Sequence, residues 1–227
     1  DICTDGDAHY DEEIGGWSWQ SYPLTHMAGF SRDVALTVPA VNLAAVPRGQ
    51  ILHDQLEARV VPRITGPLGP GDLQYAAMWK VAQRLTPRPV KFGTIMPELL
   101  AAAVEDDYYK DPVERVWAFS EAINRELHAL ADAGCPLIQM EEPQIHMVPA
   151  RGKPFGRLEI PELVKIFNNT VKGLRGKTEL WCHTCWGNPA QQRIFRDVQS
   201  YQPTLEALNE VDADALTFET GSSGTGD

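Results

Sequence analysis

Thr178-Glu179-Leu180-Trp181-Cys182-His183-Thr184-Cys185-Trp186-Gly187-Asn188 is the stretch on which the architecture turns. Its two cysteines form a C-x-x-C, the spacing of a redox motif or a zinc knuckle. Thr178 to Cys185 reads as a strand, and a strand sends successive side chains to opposite faces. Trp181, His183 and Cys185 therefore share one face, and Cys182 takes the other. His183 and Cys185 then project together, roughly 7 Å apart at their Cα atoms, close enough to hold one metal ion. Cys182 is expected to be a buried core thiol. Were the strand to end early in a helical turn, the redox reading would return. A core histidine packed beside a small apolar cysteine would satisfy the same letters without any metal.

The next strand weighs against that last alternative. Ala213 to Thr220, ADALTFET, places Ala215, Thr217 and Glu219 on one face. An apolar strand seldom ends in a carboxylate that lacks a partner. Imidazole, thiolate and carboxylate from neighbouring strands make a zinc site, the sulfur favouring zinc over magnesium or calcium. A structural zinc takes four protein ligands, mostly cysteines from local knuckles, whereas ligands from separate strand ends mark a catalytic ion.

Outward from these strands, short apolar segments alternate with longer amphipathic ones. Leu73 to Leu85 has helical spacing, with Asp72 as its N-cap, and stops before Pro87. Pro89 to Ile95 follows as a strand. Asp111 to Ala133 is a long helix closed by Gly134, and Cys135 to Met140 is the next buried strand. Pro161 to Leu174 reads as helix, and Gln191 to Val211 as mostly helix. Gly66 to Gly71 reads as a tight surface loop. Apolar strands alternating with helices form a parallel sheet covered by helices, either a barrel or an open doubly wound sheet. Chemically capable residues stand at several strand ends: Asp7, Glu141 and Glu142, His183 and Cys185, and Glu219. Barrels gather catalytic groups from many strand ends, while an open sheet concentrates them at one switch point. The expected fold is therefore α/β, a (β/α)8 TIM-type barrel. No glycine-rich nucleotide motif follows any strand.

The 227 residues suit one barrel domain, 1–227. A net charge of −11 excludes nucleic acid as the partner class, since phosphate neutralisation needs clustered Lys and Arg. No apolar run is long enough for a membrane span, and no secretory signal opens the chain. With four cysteines and no disulfide pattern, the expected compartment is reducing and cytoplasmic. The chain opens on Asp1 rather than Met and ends eight residues after Glu219, so it is expected to be part of a longer polypeptide. The oligomeric state is not legible.

Further motifs extend the pattern. Ile138-Gln139-Met140-Glu141-Glu142-Pro143 is similar to the I-Q-x-D-E-P segment of cobalamin-independent methionine synthases, with Glu141 where that family has Asp. Thr4-Asp5-Gly6-Asp7 is similar to its early Gly-Glu segment, with Asp7 in the carboxylate position. Met78-Trp79-Lys80 through Pro89-Val90-Lys91 follows its helix and P-V-K strand. His183-Thr184-Cys185 and Glu219 resemble its His-x-Cys and the Glu that ends its next strand, at a wider spacing. The resemblance implies a barrel whose first and last strands lie outside this sequence. It also implies zinc on His183, Cys185 and Glu219, with a further cysteine ligand beyond Asp227. Asp7 and Glu141 would hold the amino group of a small thiol such as homocysteine, which takes a methyl group from a methyl-folate-type donor. The other readings of Glu141 and Glu142 are a helix cap or a salt-bridged pair. His146, close after Pro143, is a candidate acid toward the leaving group or a surface-loop histidine. Two alternatives share the fold. One is alkyl transfer to another thiol such as coenzyme M, as in epoxyalkane transferases. The other is a metal-free barrel of the uroporphyrinogen decarboxylase type, with His183 and Cys185 merely packed.

Overall fold

The structure is a computed structural model that describes residues 1–4, 18–36, 60–102, 104–151, 158–186 and 200–220. In chain order its elements are β1 (Cys3–Thr4), α1 (Ser18–His26), β2 (Ala28–Leu36), β3 (Val60–Gly69), α2 (Tyr75–Arg84), β4 (Val90–Ile95), α3 (Pro97–Ala102) and β5 (Glu105–Asp106). There follow α4 (Pro112–Asp132), β6 (Leu137–Glu141), α5 (Gln144–Arg151), α6 (Ile160–Thr170), β7 (Glu179–Thr184), α7 (Leu205–Leu208) and β8 (Ala215–Phe218). A 3-10 turn at Gln202–Thr204 leads into α7.

Five strands pair in parallel in the order β1-β4-β6-β7-β8. Among the described residues the spatial order follows the chain order without reversal, with no switch point of the doubly wound kind. Across β6 and β7 the register pairs Gln139 with Trp181, Met140 with Cys182 and Glu141 with His183. Across β7 and β8 it pairs His183 with Thr217 and Thr184 with Phe218.

The two sheet faces differ in chemistry because side chains alternate. Val90, Phe92, Ile138, Met140, Leu180 and Cys182 are buried toward the helices. Lys91, Gln139, Glu141, Trp181, His183 and Cys185 occupy the intervening positions and are half-buried. The helices α2, α4 and α6 form a contiguous row, with α4 against both others. Polar bonds lock this row together. Trp79 Nε1 donates to the Val90 carbonyl at 2.9 Å, tying α2 to β4. Trp117 Nε1 donates to Glu162 at 2.9 Å, and Ser120 Oγ meets Thr170 Oγ1 at 2.8 Å, tying α4 to α6. The long helix begins where its sequence says it should. Asp111 Oδ1 accepts from Val113 N at 3.0 Å, Pro112 fills the first turn, and Gly134 follows at φ +96°.

Two expectations need correction. The helix after Asp72 starts at Tyr75, behind a left-handed Gln74. Asp72 does not cap it. Glu126 from α4 accepts the Tyr75 N–H at 2.7 Å instead, a tertiary cap with no local signal. The Gly66–Gly71 run is strand as far as Gly69. There β3 pairs antiparallel with β2, while β5 joins its other side in a separate three-stranded sheet. The pairing shifts register between Ala28 and Phe30, a bulge that accommodates Gly66 and Pro67. A Cβ on Gly29, at φ +97°, would stand 2.7 Å from the Pro67 carbonyl oxygen, so the two glycine-bearing segments approach as only glycine permits. Of the helix expected over Gln191 to Val211, residues 191–199 lie outside the described residues, and α7 supplies a single turn. Among the described residues no helix is long and apolar enough to cross a membrane.

Candidate metal and substrate site

Every described candidate stands on β6 or β7, or in the segments that directly follow β6, β7 and β8. On β7 the alternation separates the two thiols. Cys182 is fully buried, and burial, followed by the charges of Glu142, Glu141 and Glu98, pushes its thiol well above the usual cysteine range. Cys185, three residues on and just past the end of the strand, is half-buried. The backbone at this end is fixed from two sides. The Glu219 N–H donates to the Thr184 carbonyl at 2.9 Å, which brings the end of β8 beside Cys185. The Tyr201 hydroxyl lies 3.1 Å from both the Thr184 and Glu219 carbonyls.

His146 belongs to α5 and is 1% exposed, not a surface-loop histidine. A carbonyl only accepts, so the Nε2 atom 2.8 Å from the Cys185 oxygen must be protonated and donating. Nδ1 then bears the lone pair and has no hydrogen-bond partner. Trp186 packs edge-on to the ring at 4.5 Å between centroids, and Tyr201 lies at 4.9 Å. Burial pushes the ring's pKa down to about 4, so His146 is neutral at neutral pH.

The adjacent glutamates divide their work. Glu142 faces the core, where its Oε1 accepts from the N–H groups of Gln144 and Ile145 at 2.6 and 2.8 Å and caps α5. Glu98, in α3, is its buried neighbour. Burial, then the charge of Glu142, raises the Glu98 carboxyl well above the usual range. Glu141 lies on the opposite face, with its Oε2 3.8 Å from His183 Nε2. The other ring nitrogen, His183 Nδ1, meets Thr217 Oγ1 at 2.7 Å. In the tautomer whose Nδ1–H donates to Thr217, the Nε2 lone pair is available to a ligand.

The structure thus places His183 on β7, Cys185 just past the end of that strand and the backbone of Glu219 bonded to Thr184 between them, with Glu141 next to His183. Asp7 lies outside the described residues. The donors fit zinc by their chemistry: an imidazole nitrogen, a thiol and a carboxylate from adjacent strands. Among the described residues, no three His, Cys, Asp or Glu side chains are drawn together as a metal-holding group. Sequence reasoning passed over Lys91, Gln139 and Thr217. Lys91 Nζ donates to Gln139 Oε1 at 2.8 Å, and Gln139 Nε2 donates to Glu141 Oε1 at 2.5 Å. Their signal was available: Gln139 and Thr217 each lie two positions before a named site residue, hence on its face.

No protein-family model matches the chain. In sequence it is similar to the methionine synthase of Saccharolobus islandicus, 29% identical over 122 residues, covering 54% of this chain and 30% of that protein. The methionine synthase of Pyrococcus furiosus is 31% identical over 133 residues, covering 58% of this chain and 36% of that protein. The chain thus spans about a third of the length of these relatives. In fold it is similar to a B12-independent methionine synthase from Shewanella sp. W3-18-1, at a TM-score of 0.63 and 17% identity over 87% of this chain and 53% of that one. It is also similar to a putative B12-independent methionine synthase from Listeria monocytogenes, at 0.61 and 14% identity over 95% of this chain and 55% of that one. The chain is related to methionine synthases, and its parallel sheet is laid out as in the B12-independent ones.

Proposed function

We propose that this chain is the thiol-activating part of a zinc-dependent methyltransferase, working in the cytoplasm on a homocysteine-like thiol and a methyl-folate-type donor. In this reading the five-stranded parallel sheet is an arc of a (β/α)8 barrel, single and catalytic over residues 1–227. One observation carries the proposal: His183 at the end of β7 is followed two residues on by a half-buried Cys185, and the bond from Glu219 N–H to the Thr184 carbonyl brings the end of β8 alongside, in a chain similar in sequence to methionine synthases. These three residues would hold the zinc. Zinc there would supply the Lewis acidity that keeps a substrate thiol deprotonated and nucleophilic at neutral pH.

The remaining tasks fall to the chain's own groups. Glu141 and Asp7 would accept hydrogen bonds from the amino group of the thiol substrate. The Nδ1–H of His183 would donate to Thr217, keeping Nε2 for the metal. The His146 ring, neutral at neutral pH, is a poor acid toward a leaving group. In the proposal it holds the Cys185 carbonyl through Nε2–H and fixes the thiol-bearing turn. The aromatic wall of Trp186 and Tyr201 behind it would keep water from this turn.

The test compares the two thiols. Cys185→Ser should abolish zinc retention and lower methyl transfer from methyltetrahydrofolate to homocysteine by orders of magnitude. Cys182→Ser should leave both intact and cost ~1–3 kcal/mol of stability through a buried hydroxyl. Full zinc content and turnover in Cys185→Ser would overturn the metal assignment. Transfer to coenzyme M in place of homocysteine would move the acceptor to the alkyltransferase alternative.

A further inference from the structure

On the polar face of the sheet a chain of side chains crosses four strands. Lys91 on β4 donates to Gln139 on β6 at 2.8 Å, and Gln139 donates to Glu141 at 2.5 Å. Glu141 faces His183 on β7 at 3.8 Å, and His183 meets Thr217 on β8 at 2.7 Å. Chemistry fixes the direction of the first two links. An ammonium only donates, so it must meet the amide oxygen of Gln139. The amide nitrogen is then left to face the carboxylate, and no flipped amide satisfies both neighbours. The ammonium is itself anchored, lying 5.4 Å from the ring centroid of Trp181.

We propose that Lys91 and Gln139 are positioning residues that orient the Glu141 carboxylate for the substrate amino group. This inference rests on the Glu141 role given above. A glutamate has one more rotatable bond than an aspartate, so a longer carboxylate at this position reaches further and points less definitely. Gln139 removes that freedom by holding Oε1, and Lys91 removes the freedom of Gln139. Oε2 faces His183 at 3.8 Å, on the side where a substrate joined to a zinc-held thiol would bring its ammonium. The relay lets Glu141 do the work of a shorter, stiffer carboxylate.

The experiment measures binding of L-homocysteine and of 4-mercaptobutanoate, which lacks the amino group, to the zinc-loaded chain by calorimetry. The unmodified chain should favour homocysteine by about 10-fold, the worth of one charge-assisted hydrogen bond. Lys91→Met and Gln139→Leu should each lose most of that preference while binding 4-mercaptobutanoate unchanged, and Lys91→Arg should keep it. A purely structural role would weaken both thiols equally, which would overturn the proposal, as would full preference in both variants. If Gln139→Leu fails to fold, Gln139→Met serves, since it fills the same space without an amide to hold Oε1 and should also lose the preference. A second readout needs neither zinc nor thiol: urea unfolding of Lys91→Met, Glu141→Gln and the double variant. Non-additive midpoints are expected, and strict additivity would overturn the relay. If the unmodified chain lacks the preference while the cycle is non-additive, the Glu141 substrate role fails and the relay stands as a structural network only, which also overturns the positioning claim.

Discussion

Cys182 and Cys185 carry one functional group into two environments, and the difference is measurable without any assumption about function. Cys182 has no exposed surface and a thiol raised well above its usual range, and burial pushes Cys135 up to about 11. Cys3 and Cys185 are half-buried. At pH 8 the thiolate is the species that iodoacetamide attacks. Cys3 and Cys185 should therefore be alkylated in the native chain, with Cys135 and Cys182 slower by more than ~10-fold until urea unfolds it. Mass spectrometry of the four peptides reads this directly, and rapid labelling of Cys182 would refute the strand assignment of β7. Added zinc should protect Cys185 and leave Cys3 reactive. The two faces of β7 were legible in the sequence because alternation is a local property of the backbone. The setting of His146 was not. Its burial comes from Trp186 and Tyr201, which meet it only in the folded chain.

The same division between local and long-range causes governs the elements. The helices α4 and α6 and the strands β4, β6, β7 and β8 fall inside or close to the ranges expected from periodicity, because each buries one face against a neighbour. The β2–β3 ribbon escaped notice. Its glycines and prolines read as a loop, while the property that makes it a strand pair is the close approach of Gly29 to Gly66 and Pro67, a contact between distant segments. That contact yields a test. Gly29→Ala would force a positive φ on a residue with a side chain and drive its Cβ to 2.7 Å from the Pro67 oxygen. Stability should fall by about 1–3 kcal/mol, seen as a lower urea midpoint at unchanged m. Gly176→Ala is the control. It has a similar φ, +84°, but its Cβ would meet nothing within 4 Å, so only the backbone term of about 1 kcal/mol remains. Equal losses at the two sites would mean that the ribbon is not packed as described.

Across the whole molecule, the parallel sheet separates a polar face from an apolar one, and among the titratable groups buried in unfavourable surroundings are His146 and Glu98. They make opposite contributions to stability as pH changes. For His146, the folded pKa of about 4 lies below the ordinary histidine value of 6.5. Between those values the unfolded chain binds the proton and the folded chain does not, so stability is lost as pH falls from about 6.5 toward 4. For Glu98, burial and Glu142 raise the folded pKa well above the ordinary carboxylate value. There the folded chain holds the proton that the unfolded chain has released, so stability is lost as pH rises above the carboxylate range. Above about 6.5 the His146 contribution is constant and the Glu98 loss continues, at up to ~1.4 kcal/mol per pH unit, with the raised Glu142, Cys135 and Cys182 groups acting in the same direction. Glu98→Gln, a neutral isostere of the protonated acid, should therefore stabilise the zinc-free chain at pH 8.5 relative to the unmodified chain and leave the acid limb alone. His146→Gln should flatten the acid limb, on the order of 3 kcal/mol over its window, and leave the alkaline limb alone. Urea midpoints at pH 4.5, 6.5 and 8.5 separate the two effects. The metal is omitted because its binding adds a pH dependence of its own. A Glu98→Gln chain that is no more stable than the unmodified one at pH 8.5 would show that Glu98 is ionised and solvated in solution, and that the helices cover the strand ends less closely than the structure has them.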